Sequence, residues 1–291
     1  MSRNQNRTGF PEDFTPQDDS IGTTAQAAVG DNNSPTFSWS VPTEFVTLPS
    51  AGKFYGPDHP LHNATTVEIK YMTAKEEDIL TSRALLKEGV ALDRMLQSLI
   101  LDKTVKIGSL LIGDKNALLV AARRTGYGSD YQTNVTCPAC AVADEFSFDI
   151  SDPKIVDYEA NLENNHASLT EHGTLLVRLP MTKATVECQM LTGDDEVRLF
   201  KEMERKTKKK QESKTTTDVL RSYIVGVNGE PSPFVIEAFI QALPARDARV
   251  LRTAYTESLP NIDMTQVFDC PNCGHTADME VPLSANFFWP K

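Results

Sequence analysis

Apolar residues first alternate with polar ones at Phe37-Ser38-Trp39-Ser40-Val41, which predicts a strand and the start of ordered structure. Before it, residues 1–36 are rich in Asn, Gln, Thr, Ser, Asp and Gly and nearly free of aliphatic side chains. Such a stretch cannot bury enough apolar surface to offset the entropy of ordering, so it reads as a disordered arm. Glu44–Tyr55 reads as a strand, a Pro/Gly turn at Pro49-Ser50-Ala51-Gly52, and an aromatic anchor at Phe54-Tyr55. Val67–Met72 alternates again and predicts another strand. Thr73-Ala74-Lys75-Glu76 has the form of a capping box. The helix it opens carries Ile79, Leu80, Leu85 and Leu86 and stops at Gly89. Leu92, Met95, Leu96, Leu99 and Ile100 follow at helical spacing. A third helix is expected from Asp114 as N-cap, through Leu118, Leu119, Ala121 and Ala122, to Gly126.

Farther on, Leu175–Leu179 and Ala184–Met190 read as a strand pair joined across Pro180-Met181-Thr182-Lys183. Helices are expected from Thr192 through Met203, around Val219–Ile224, at Phe234–Leu243 and at Ala245–Ser258. The pattern divides the chain into four parts. These are the arm (1–36), a small mixed α/β core (37–150), a mainly helical insertion with one strand pair (151–266), and a C-terminal piece (267–291).

The cysteines change this picture. Cys137-Pro138-Ala139-Cys140 and Cys270-Pro271-Asn272-Cys273 are matched C-x-x-C turns, flanked by strand-like segments. Gly274 follows the second and supplies the positive φ that a tight sulfur-lined turn needs. Four thiolates in two such turns form the ligand set of a closed tetrahedral zinc site. Disulfides and redox-active or unpaired thiols are the other readings. A thiol-redox pair would want a helix N-terminus after its first cysteine, and neither motif has that context. The separation of the two motifs is far longer than the roughly 15–20 residues of a simple ribbon. Structural Zn²⁺ on Cys137, Cys140, Cys270 and Cys273 would therefore pin the base of the insertion, giving an α+β fold with a zinc-ribbon-like unit. Such a shell has no open position for catalysis. Cys188 reads as a small, half-buried strand residue.

Composition narrows the function. The formal charge of −11 and pI near 5.0 disfavour bulk binding to nucleic acid or anionic membrane. No apolar run approaches the roughly 20 residues that span a bilayer, and the first residues lack an apolar signal core. Synthesis and folding in a reducing cytoplasm are expected, which again favours metal over disulfide. The one basic run, Arg205–Lys214, has no interleaved aromatic to stack on a base and reads as a solvated helix end. His59 and His62 lie in a polar turn, and His275 follows the second motif as an alternative ligand. No phosphate loop, nucleophile elbow or H-E-x-x-H helix is present, so no enzymatic activity is expected.

Four segments carry a family resemblance. Leu48–Tyr55, Met72–Ser82, Ile112–Ala117 and Gly126–Tyr131, with the Phe287-Phe288-Trp289-Pro290 ending, resemble the baseplate hub protein family of T-even-like contractile-tailed bacteriophages. The resemblance covers roughly residue 44 to the end. It implies a structural or assembly role in the tail baseplate hub, made in the host cytoplasm, with other tail or hub proteins as partners. It implies no catalytic residues. The runner-up reading is a zinc-ribbon nucleic-acid-binding or transcription-associated protein using the basic run. Leu48–Tyr55, Gly126–Tyr131 and Phe287–Pro290 set aromatics beside Gly or Pro. They are expected either to form the contact surface or to pack around the cysteine unit.

Overall fold

Helix α4 (Ile112–Tyr127) organises the first part of the molecule, because other elements pack on several of its faces. A computed structural model of the chain describes residues 40–208, 215–281 and 285–288. The expected arm, the strand before Ser40, residues 209–214 of the basic run, and Trp289 and Pro290 lie outside the described residues. Strands β1 (Thr43–Thr47) and β2 (Thr66–Lys70) pair antiparallel, with Val46 opposite Val67. Helices α1 (Ala74–Thr81), α2 (Arg83–Glu88) and α3 (Ala91–Leu99) follow and pack on one another, and α3 packs on α4. The single helix expected up to Gly89 is broken at Ser82, whose ψ of 110° leaves the helical region. Gly89 does stop α2, at a φ of 72°.

The hairpin of β3 (Asp130–Thr136) and β4 (Ala143–Asp149) comes next. β5 (Lys154–Ile155) and α5 (Tyr158–Asn164) lead to β6 (Ala167–Leu169), β7 (Leu175–Arg178) and β8 (Thr185–Cys188). Helices α6 (Gly193–Lys208) and α7 (Thr215–Tyr223) precede β9 (Ile224–Val227). The expected strand pair is thus the centre of a four-stranded antiparallel sheet ordered β6-β7-β8-β9. Ile224, expected at a helix end, starts the fourth strand. Helices α8 (Pro233–Ala242) and α9 (Ala245–Glu257) close this region. The turn between β7 and β8 is held by buried Asp247 of α9, which accepts the Met181 and Thr182 N–H groups and the Thr182 hydroxyl at 2.8–3.0 Å. Finally β10 (Ile262–Asp263) pairs with β5, and β11 (Thr265–Asp269) with β12 (Thr276–Glu280). The fold is α+β. From Val41 on, the described residues form one compact unit around one continuous apolar core, from Val46 to Phe288.

Two buried carboxylates show how polar groups order this core. Asp114 is fully buried and sits within the first turn of α4, not at its N-cap as expected. It accepts the Ser50 N–H at 3.0 Å, the Ser50 hydroxyl at 2.6 Å and the Tyr55 hydroxyl at 2.7 Å. Tyr55 in turn accepts the Leu111 N–H. Two of the sequence segments singled out above therefore meet at one side chain. Burial raises the Asp114 pKa, and these donors oppose the rise. Next to this knot, Gly113 is pressed against the chain at Pro260. A Cβ there would lie 1.9 Å from the Pro260 carbonyl oxygen, so no other residue fits.

The capping box at Thr73 forms, and its Glu76 is fully buried. Glu76 accepts the Thr73 N–H (3.0 Å) and hydroxyl (2.6 Å), Lys70 Nζ (2.7 Å) and the Ser98 hydroxyl (2.9 Å). Burial pushes its pKa up, but these hydrogen bonds outweigh burial and bring it from 4.5 to about 2. A lowered folded-state pKa stabilises the protein above the unfolded value and loses that contribution as pH falls through the folded one. Stability should therefore fall between pH 4.5 and about 2 by on the order of 2–3 kcal/mol from this group. Urea unfolding should find Glu76→Gln less stable than the parent near neutral pH, with the gap closing toward pH 2. A gap independent of pH would remove the carboxylate from the account.

Candidate metal centre

Each C-x-x-C sits at the tip of a hairpin. β3–β4 closes with Thr136 opposite Ala143, and β11–β12 with Asp269 opposite Thr276. The two tips have the same internal bonding. Cys137 N–H donates to Val142 O and Ala141 N–H to Cys137 O, both at 2.9 Å. Cys270 N–H donates to His275 O and Gly274 N–H to Cys270 O, also at 2.9 Å. The residue after the second cysteine is left-handed in both, Ala141 at φ 57° and Gly274 at φ 69°. Gly274 does what its sequence position predicts. Ala141 holds the same conformation with a Cβ, at a strain of about 1 kcal/mol.

The inward faces of the hairpins bring these tips together. Phe146 packs edge-on against both Phe148 and Phe268, with centroids at 4.9 and 5.1 Å. The Gln266 side chain bonds the Asp149 backbone, accepting its N–H and donating to its carbonyl. All four sulfurs then lie within 4.8 Å of one another. Cys137 Sγ is 3.8 Å from Cys273 Sγ, and Cys140 Sγ is 3.8 Å from Cys270 Sγ. Four sulfurs at about 2.3 Å from one zinc ion, at tetrahedron corners, are about 3.8 Å apart. A disulfide would need about 2.05 Å, and all five cysteines are free. Cys137 and Cys270 are buried, Cys140 is half-buried and Cys273 is exposed, so the cluster sits at the surface.

Two of the thiols are shifted in opposite directions. The Val142 N–H and the Asn272 amide, which reaches Cys140 Sγ at 3.6 Å, draw the Cys140 thiol down to about 6. At Cys273 the His275 N–H acts downward. Desolvation and hydrogen bonding among the neighbouring thiols outweigh it and push the group up to about 12. The Cys140 and Cys273 thiolates therefore do not coexist near neutral pH unless a cation holds their charge. Asn272 is a contact of the cluster that sequence reasoning passed over. Its only signal was its place between two cysteines.

The remaining candidates separate cleanly. His275 is not part of the cluster. His59 accepts the Leu61 N–H at Nδ1, contacts the Ser109 hydroxyl at 2.8 Å through Nε2 and stacks on Tyr55. His62 Nδ1 is 2.7 Å from Tyr55 O. Both belong to a polar turn. Cys188 is fully buried in β8 instead of half-buried, and burial pushes its thiol up. Arg205–Lys208 complete the last turns of α6. The three aromatic segments, expected either to form a contact surface or to pack internally, contribute core residues among the described ones. Leu48, Phe54, Tyr55, Tyr131, Phe287 and Phe288 are all buried, and Tyr131 packs edge-on against Phe287 at 4.9 Å. Among the described residues, no helix is long and apolar enough to cross a membrane.

No curated protein and no solved structure matches the chain. One family model, described as T4 bacteriophage base plate protein, matches residues 41–289. That match takes in the buried Asp114 knot, both hairpins and their four cysteines, and the chain belongs to the T4 bacteriophage base plate protein family.

Proposed function

We propose that this chain is a structural or assembly component of the baseplate hub, acting through protein–protein contacts, with one structural zinc ion on Cys137, Cys140, Cys270 and Cys273. The zinc reading is carried by the spacing of the sulfurs, whose shortest cross-hairpin separations match the edge of a zinc–thiolate tetrahedron. The ion would join a hairpin near residue 140 to one near residue 270 and so close the intervening chain into a loop. The hub assignment rests on the segments quoted above and on family membership. Within the cluster every cysteine faces its neighbours, so a four-sulfur shell leaves no position for a substrate. Such a shell would not catalyse at the metal, and with no catalytic motif in the sequence the protein is proposed to be a non-enzyme.

The test is to tag the protein, isolate it from infected cells and ask what accompanies it, while measuring metal in the same preparation. The proposal expects other baseplate hub proteins and close to one zinc per chain. Co-isolation with nucleic acid, lost steeply as salt rises, would favour the zinc-ribbon nucleic-acid reading instead. A preparation that carries only tail components outside the hub would overturn the hub assignment.

A further inference from the structure

The four sulfurs pair across the hairpins in a regular way. The first cysteine of each tip, Cys137 or Cys270, is buried, and its N–H and C=O are both held by hydrogen bonds inside the tip. The second cysteine lies nearer solvent, with Cys140 half-buried and Cys273 exposed. The 3.8 Å separations run from the first cysteine of one tip to the second of the other, Cys137 to Cys273 and Cys270 to Cys140. Each pair thus sets an inner, fixed sulfur beside an outer, accessible sulfur of the opposite hairpin.

We propose that the cluster is an oxidation site for peroxide, at which the metal shell is exchanged for two crossed disulfides, Cys137–Cys273 and Cys140–Cys270. The inference deepens the metal reading given above and rests on it. The outer sulfurs are the points of attack, because oxidation follows thiolate character and exposure, and the inner sulfurs resolve them. The Cys273 thiolate attacks one oxygen of hydrogen peroxide. An S–O bond forms, the O–O bond breaks and hydroxide leaves. The Cys137 thiolate then attacks the Cys273 sulfenic sulfur. The S–S bond forms, the S–O bond breaks and a second hydroxide leaves. The two thiolates have lost two electrons, the peroxide has gained them, and two protons from solvent turn the hydroxides into water. Cys140 and Cys270 consume a second peroxide in the same way. Metal affinity requires deprotonated, unoxidised sulfur, so the zinc ion leaves as the thiolates are used up.

Closing each pair from 3.8 Å to the roughly 2.05 Å of a disulfide is a contraction of about 1.8 Å, within reach of side-chain rotation and a slight tilt of the tips. Both bonds tie β3–β4 to β11–β12, across 136 and 130 positions of the chain. A bond inside one C-x-x-C would tie neither hairpin to the other. Crossed pairing therefore keeps the tips docked after the metal has gone. Cys188, fully buried in β8, stays outside this chemistry. For a chain folded in a reducing cytoplasm and later met by an oxidising medium, the exchange would replace one staple by another at the same place.

The experiment starts from full-length protein first shown to hold zinc. Hydrogen peroxide is added at roughly two molar equivalents per chain, with a coloured zinc indicator present and free thiols counted. Close to one zinc per chain should be released, and the cluster thiols should be lost while Cys188 stays reduced. Non-reducing peptide mapping should find the Cys137–Cys140 peptide joined to the Cys270–Cys273 peptide, and fragmentation should assign Cys137–Cys273 and Cys140–Cys270. C140S/C270S keeps one proposed pair and should form that disulfide within the chain. C140S/C273S keeps only the two inner sulfurs and should react at least about fivefold more slowly. The oxidised parent should keep the hydrogen-exchange protection of β11–β12 that a chelator removes from the reduced protein, and a dithiol reductant with added zinc should restore the starting state. Disulfides confined to single tips, links between chains, or equal rates in the two variants would overturn the proposal while leaving the zinc reading in place. A starting preparation without zinc would overturn the metal reading and the exchange with it.

Discussion

Removing the metal is expected to be the most damaging single change to this protein. Purified from the cytoplasm, it should carry close to one zinc per chain, and Cys270→Ser should lose it. Structural zinc sites contribute apparent binding free energies on the order of 10 kcal/mol, comparable to the whole stability of an ordinary domain. The physical reason is visible in the tips. Their hydrogen bonds are local, and the side-chain contacts that join the hairpins away from the sulfurs are the Phe146–Phe268 edge contact, the Gln266–Asp149 pair and the Asn272–Cys140 bond. Without the ion, four thiols and little else hold the tips in register. A strong chelator or Cys270→Ser should therefore lower the thermal midpoint sharply and expose β11–β12 to hydrogen exchange. Cys188→Ala is the control. It should keep the metal and cost only about 1–2 kcal/mol, because its thiol packs alone inside the four-stranded sheet. A metal-free protein that stays folded with unchanged stability would dispose of the zinc site.

Arg123→Met should be the most destabilising change outside the cysteines. Arg123 is buried, and burial lowers its pKa. Its guanidinium faces three main-chain carbonyls and, among the described residues, no carboxylate. Nε donates to Phe287 O at 2.8 Å, Nη1 to Gly128 O at 2.8 Å and Nη2 to Asp130 O at 3.2 Å. It also lies 5.3 Å from the centroid of the Tyr127 ring. One planar fork thus ties the end of α4, the start of the first hairpin and the C-terminal turn at Ala285–Phe288 together. Methionine fills similar space but strands three carbonyls, each at roughly 1–3 kcal/mol, so a loss of about 3–5 kcal/mol is expected. Arg123→Lys should recover only part of it, because an ammonium cannot match the fork geometry. Chemical denaturation measures the loss, and hydrogen exchange at Phe287 and Phe288 should show the C-terminal turn opening before the core. Parental stability in Arg123→Met would mean that the three carbonyls find other donors.

These two expectations differ in how far they could be read from residues alone. The knuckles were legible because a C-x-x-C turn is a local object. Its hydrogen bonds span four to six residues, and its chemistry calls for two more thiolates wherever the chain brings them. The Thr73–Glu76 box, the helix stop at Gly89, the tight turn at Gly274 and the central pair of the four-stranded sheet were legible for the same reason. Each depends on neighbours or on a strict alternation. The break at Ser82 had no such marker. Asp114 looked like an N-cap because a carboxylate before a helical run usually is one. Only the approach of Ser50 and Tyr55, some sixty positions away in sequence, drew it into the core.

The aromatic ending shows the limit most clearly. Phe287-Phe288 has the same composition whether it plugs the protein's own core or a partner's groove. The choice was made by Tyr131 and by the fork of Arg123, both contributed from more than a hundred residues earlier. The sequence by itself determined the local turns, the helix ends and the chemistry of the four sulfurs, because those are set by short-range geometry and by the nature of the atoms. The tertiary structure alone decided which buried polar groups found partners and which aromatics became core. Those outcomes depend on segments distant in the chain arriving at the same place.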